Sequence, residues 1–125
     1  MRVDYVAVNP GEIFPLTQET RGLFHRVEQH PQAVQVGALL CPKQLVISPV
    51  SRALLLEPFL DTDEAFSHHT ARWIHLGTGN PFPICVVSEK RRRKPTQKLV
   101  FFRAHWALQV DTSLPVPVLS EANIR

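Results

Sequence analysis

Apolar side chains alternate along the first residues, with Val3, Tyr5 and Ala7 on one face and Asp4, Val6 and Val8 on the other. This period of two, rich in β-branched residues, predicts a strand over residues 2–8 that ends at Asn9-Pro10-Gly11. From Thr17 the spacing changes: Leu23, Phe24 and Val27 recur at helical intervals, with Thr17 placed to cap, Glu19 in the first turn and Pro31 beyond the end. A helix over 18–29 is expected, weakened by about 1 kcal/mol by Gly22. Val34, Val36, Ala38 and Leu40 then share a face and predict a strand over 33–41, with Leu45-Val46-Ile47 as its short hairpin partner. Ser48-Pro49 has the form of an N-cap followed by a first helical residue, opening a short helical turn through Glu57 that Pro58 ends, although an irregular stretch fits these residues equally well.

The clearest helical signal covers 62–76. Asp61 can cap it, Glu64 follows three residues on, and Gly77 stands just past the end. Phe66, Trp73 and Leu76, with Ala65 and the aliphatic part of Thr70, form its apolar face. Val86-Val87 and the run 99–110 predict two strands joined by the polar loop 89–98 as an antiparallel hairpin. Along the second, Val100, Phe102, Ala104, Trp106 and Leu108 are expected inward, and Arg103, His105 and Gln109 outward. Leu114-Pro115-Val116-Pro117-Val118 can only be extended and is expected along the surface.

The order of elements predicts an α+β fold, with an antiparallel sheet of about four to five strands and two main helices packed on one face. Composition narrows this without changing it. With 125 residues, 44% apolar and 20% charged, the chain has the size of one core, here expected over 1–110 with 111–125 as a proline-containing tail. Eleven prolines leave only 16–30, 59–80 and 96–114 open to a substantial helix. No apolar run approaches 18 residues, so no membrane partner is expected. Two cysteines and no secretory leader pattern fit a reducing, cytoplasmic setting, or the nucleus in a eukaryotic host.

Charge points to the one concentrated feature. Fourteen basic residues outnumber eleven acidic ones. Five of the fourteen are the consecutive Lys90, Arg91, Arg92, Arg93 and Lys94, without which nine would face eleven. Lys98 and Arg103 extend this group, and Phe101, Phe102 and Trp106 flank it. A hairpin tip carrying this charge suits a phosphate backbone. A solvated loop that protects the hairpin edges from self-pairing also accounts for the run.

Other chemistry is less well supplied. His68 and His75 on one helix lie about 10 Å apart along its axis, too far to share an ion, while His68 and His69 diverge around it. No metal or other cofactor is therefore expected. Cys85 sits in an apolar run, where a thiol stays protonated, and Cys41 precedes Pro42 at a strand end with more access to solvent expected. Gly77-Thr78-Gly79-Asn80 follows a helix where phosphate-cradling loops precede one, so it is expected to be a C-cap and turn.

The expectation is thus a small non-enzymatic binding domain with no catalytic residues. Its anionic partner, nucleic acid first and an acidic protein surface second, is met by Lys90, Arg91, Arg92, Arg93, Lys94, Lys98 and Arg103. The rivals are a small enzyme or small-molecule binder using Arg103, His105 and a helical histidine, and a protein that docks on a partner through its proline-rich tail.

Overall fold

A computed structural model describes residues 2–89, 99–103 and 109–121, with the backbone alone for Leu99, Phe101 and Arg103. The α+β class holds, but the strands form two sheets. In the first, β1 (Tyr5–Ala7), β2 (Ile13–Pro15), β3 (Ala33–Val36) and β4 (Leu39–Pro42) are ordered β2-β1-β4-β3. In the second, β5 (Glu64–Phe66), β6 (Ile84–Ser88) and β7 (Leu99–Arg103) are ordered β5-β6-β7. Helix α1 (Arg21–Glu28) follows β2, while α2 (Pro49–Leu56) and α3 (His68–Leu76) lie between β4 and β6 in the chain.

Alternation along β1 and β4 explains the layering. Ala7, Leu39 and Cys41 enter the main core with Leu55 and Leu56 of α2, Ala71, Trp73 and Ile74 of α3, and Phe66, Ile84 and Val86 of the second sheet. Val6 and Leu40 point the other way and pack with Val27, Leu23 and Phe24 of α1. The helices thus cover both faces of the first sheet, which corrects the expectation of helices on one face only.

Neither sheet is wholly antiparallel: β1 pairs with β4 in parallel, and β6 pairs with β7 in parallel, Ile84 opposite Leu99 and Ser88 opposite Arg103. The expected hairpin across 89–98 is therefore absent. The continuous apolar run of β6 is of the kind that strands covered on both faces show, and all five of its residues are buried.

The strand expected over 33–41 is a tight hairpin, turned at Gly37-Ala38 with Gly37 at φ +56°. A side chain at Gly37 would also collide with Asn80. Both edges of β4 are taken by β1 and β3, so Leu45-Val46-Ile47 has no edge to pair with, and Lys43–Val46 forms a short 3-10 helix instead.

Helix α2 begins as its local signals indicate. Ser48 caps it by accepting from the Ser51 N–H, the Ser51 hydroxyl accepts from the Ser48 N–H, and Pro49 is the first helical residue. The helix expected over 62–76 is shorter. Asp63 has φ +66°, Glu64–Phe66 pair with β6, and α3 starts only after Ser67. The Glu64 carboxylate does reach back, accepting from the Asp61 N–H at 2.9 Å. It closes a turn, since such side-chain-to-backbone bonds serve turns as readily as helix starts.

The proline-rich segment does not lie along the surface. Val116, Val118 and Leu119 are buried. The Phe66 N–H donates to Pro117 O at 3.0 Å and the Leu119 N–H to Phe66 O at 3.0 Å, so the segment extends the second sheet beside β5. Proline is compatible with such an edge position.

Candidate functional site

Lys90, Arg91, Arg92, Arg93, Lys94 and Lys98 lie outside the described residues, as do Ala104, His105, Trp106 and Leu108. Arg103 is the last residue of β7, and its backbone stands opposite Ser88, which in turn stands opposite Glu64. Glu64 and Ser88 are buried. The basic run thus begins two residues after Ser88, and Arg103 occupies the same end of the sheet.

One residue expected in the core is exposed. Phe102 keeps 38% of its surface, because its row across the sheet, Ala65–Val87–Phe102, lies on the face turned away from the main core. Among the described aromatic rings, His68 packs on Phe102. The two rings stack at 4.4 Å between centroids and 24° between planes.

His68 reaches that position from an unusual backbone. It opens α3 at φ +52°, in the left-handed region that costs a side-chain-bearing residue about 1–2 kcal/mol. Ser67, the N-cap, does not cap the helix through its side chain; its Oγ instead meets His68 Nδ1 at 2.9 Å. His68 Nε2 has no partner among the described residues, on a half-buried ring. Desolvation, and secondarily the charge of His69, lower the His68 pKa below its usual 6.5, so the neutral ring is favoured near pH 7. One turn along the same helix, Arg72 is exposed and forms no ion pair with any described residue.

The remaining polar groups around α3 are engaged. The Thr70 hydroxyl donates to Pro81 O at 2.7 Å and accepts from the Cys85 N–H at 2.8 Å, pinning the connection into β6. His69 Nε2 donates to Pro83 O at 2.6 Å. His75 Nε2 donates to Leu119 O at 2.7 Å, with Nδ1 3.7 Å from Asp111 Oδ2.

At the C-terminal end of α3, Arg52 from α2 donates to Ile74 O, Val46 O and His75 O. It is 7% exposed, and its guanidinium carbon lies 6.0 Å from the Trp73 ring centroid. Gly77 closes the helix at φ +73°, donating to Trp73 O, as a C-cap requires.

Both thiols are buried. Cys41, expected nearer to solvent, is enclosed in the core, and burial pushes its pKa up to about 12. Burial also raises that of Cys85, against a smaller opposing effect of the Ser67 hydroxyl. Neither is placed to act as a nucleophile. Among the described residues no three or more His, Cys, Asp or Glu converge as a metal site would require, and no helix is long and apolar enough to cross a membrane.

No local sequence pattern marked Ser67 or Arg72, and none joined His68, weighed as a metal ligand, to Phe102, which flanks the basic run. Phe102 alternates correctly for an inward strand residue, and its contact with His68 spans two elements that are distant in sequence. Comparison with protein-family models, with curated proteins and with solved structures finds no match to the chain.

Proposed function

We propose that the chain is a small non-enzymatic binding domain whose partner is nucleic acid, met through Lys90, Arg91, Arg92, Arg93, Lys94, Lys98 and Arg103. The concentration of charge carries this reading: the whole excess of basic over acidic residues resides in five consecutive positions. Two like charges at close range repel by about 1 kcal/mol in water, a cost that contact with phosphates relieves. Further support comes from the β6–β7 register, which sets Arg103 opposite Ser88, two residues before Lys90.

Salt dependence tests it. Each charge engaged by a duplex adds about −0.9 to the slope of log affinity against log salt, so all five give about −4 to −5. Replacing Arg91, Arg92 and Arg93 by Ala should flatten the slope by about 3 and, if these charges serve the partner rather than the core, leave the melting temperature nearly unchanged. Equal affinity of wild type and triple variant at low salt would refute the reading. Tighter binding to an acidic polypeptide than to nucleic acid would move the partner to the second class expected from the sequence, an acidic protein surface.

A further inference from the structure

The nucleic-acid reading names a charge, not the form of the polymer. We propose that the Phe102–His68 ring pair is a stacking platform for a base of single-stranded nucleic acid, with Arg72 contacting a neighbouring phosphate. The inference rests on the nucleic-acid reading above, but it draws on residues that reading does not use.

Three observations lead to it. Phe102 is a large apolar ring left 38% exposed in a row whose other members, Ala65 and Val87, are buried. A lone exposed apolar residue needs no explanation, but this one is held in place by a second ring. That ring belongs to a residue in a left-handed conformation, φ +52°, and such strain persists only where surrounding structure imposes it. The Ser67 hydroxyl fixes the His68 ring through Nδ1, while Nε2 meets no described residue. A ring edge whose nitrogen meets no described residue, beside an exposed aromatic surface, can meet both the face and the edge of a base.

The third observation is charge. Arg72 follows His68 by four residues, one turn further along α3. It is exposed and joins no ion pair among the described residues. Aromatic surface beside an available guanidinium is what single-stranded chains use, since every base has a π face and every linkage a phosphate. A duplex hides its base faces in the stack, so it can use Arg72 but not Phe102. An acidic polypeptide likewise needs the cation and not the ring.

Binding of the full chain to a fluorescein-labelled 15-mer of oligo(dT), to a 15-base-pair duplex and to poly-glutamate distinguishes these, read by anisotropy or competition at fixed salt. The expected order has the single strand tightest. Phe102→Ala should weaken single-strand binding by about 5- to 150-fold, the range of one base–aromatic stack, and leave duplex binding unchanged. Phe102→Trp should retain it. Arg72→Ala should reduce the single-strand salt slope by about 0.7. Should Phe102→Ala fold poorly, Phe102→Leu keeps apolar bulk while removing the π face, and the same loss is expected.

Single-strand affinity unchanged by Phe102→Ala or Phe102→Leu, yet abolished by the Arg91, Arg92 and Arg93 substitutions, would overturn the platform and leave the nucleic-acid reading standing. So would a preference for duplex. If neither nucleic acid binds, or poly-glutamate binds as well as oligo(dT), both readings fall together.

Discussion

The two ends of helix α3 carry similar side chains in opposite circumstances. At the C-terminal end, the last carbonyls receive hydrogen bonds from Arg52 and Gly77, and His75 reaches Leu119 O, drawing the final segment onto the helix. At the N-terminal end the cap residue spends its hydroxyl on a neighbouring imidazole, the first helical residue is left-handed, and a phenylalanine stays exposed. A buried cation, a glycine in its preferred conformation and a histidine bonded to Leu119 O belong to stability. A strained histidine whose Nε2 meets no described residue does not have the form of a stabilising contact.

Substitutions can break this contrast, and Arg52 should have the largest effect. Arg52→Ala leaves three carbonyls without their charged donor, and hydrogen bonds to charged groups contribute about 1.5–3 kcal/mol each. The variant should lose at least about 3 kcal/mol in urea denaturation, less than the full sum because bonds from one guanidinium do not add and that to His75 O is long at 3.4 Å. Arg52→Lys should recover part of this, because a single ammonium cannot reproduce the planar fork. Nucleic-acid affinity measured well below the melting temperature should not change. A loss of affinity in a variant that remains folded would show that the two ends are not separable.

His75 comes next. His75→Phe keeps the ring but removes the donor to Leu119 O, at a cost of about 1–2 kcal/mol. The damage should be local to the final segment, so hydrogen exchange should rise at Leu119 and Phe66 N–H groups, which pair that segment to β5. Uniform loss of protection across both sheets would mean instead that the segment folds as one unit with the core. Gly77→Ala should cost about 1 kcal/mol, because φ +73° disfavours a side chain and the new Cβ would stand 3.0 Å from Arg52 Nη1.

How much of this could be read in advance follows the same division. The α2 start at Ser48-Pro49 and the Gly77 stop are set by groups within three or four residues of each other, and both were legible. Where the outcome depended on distant partners it was not. Glu64 carries a helix-start signal but pairs with Ser88 in a sheet, Val116 and Val118 look like a tail but fill the core, and the run after Pro95 looks like the return strand of a hairpin but pairs in parallel. The candidate site divides likewise. Its charge is visible as a run of letters, whereas the meeting of His68 with Phe102 depends on the β6–β7 register, which no local pattern encodes.

The smallest effect should come from His68 itself, and it bears on the N-terminal end alone. Burial of the ring and the neighbouring His69 charge favour the neutral imidazole, so the folded pKa lies below 6.5. The unfolded chain then takes up this proton at higher pH than the folded one does. Stability linked to His68 is therefore complete above pH of about 6.5 and declines as pH falls through the folded value. The imidazole resonances of His68 should titrate with a midpoint below 6.5, in a shift followed by two-dimensional NMR. Phe102→Ala removes the ring that covers one side of the imidazole, so water returns and the midpoint should move back up, while the Ser67 contact, His69 and Arg72 stay in place. A midpoint that does not respond to Phe102→Ala would mean that water already reaches the His68 ring past Phe102, and the stack would then lack the closeness that a shared base platform requires.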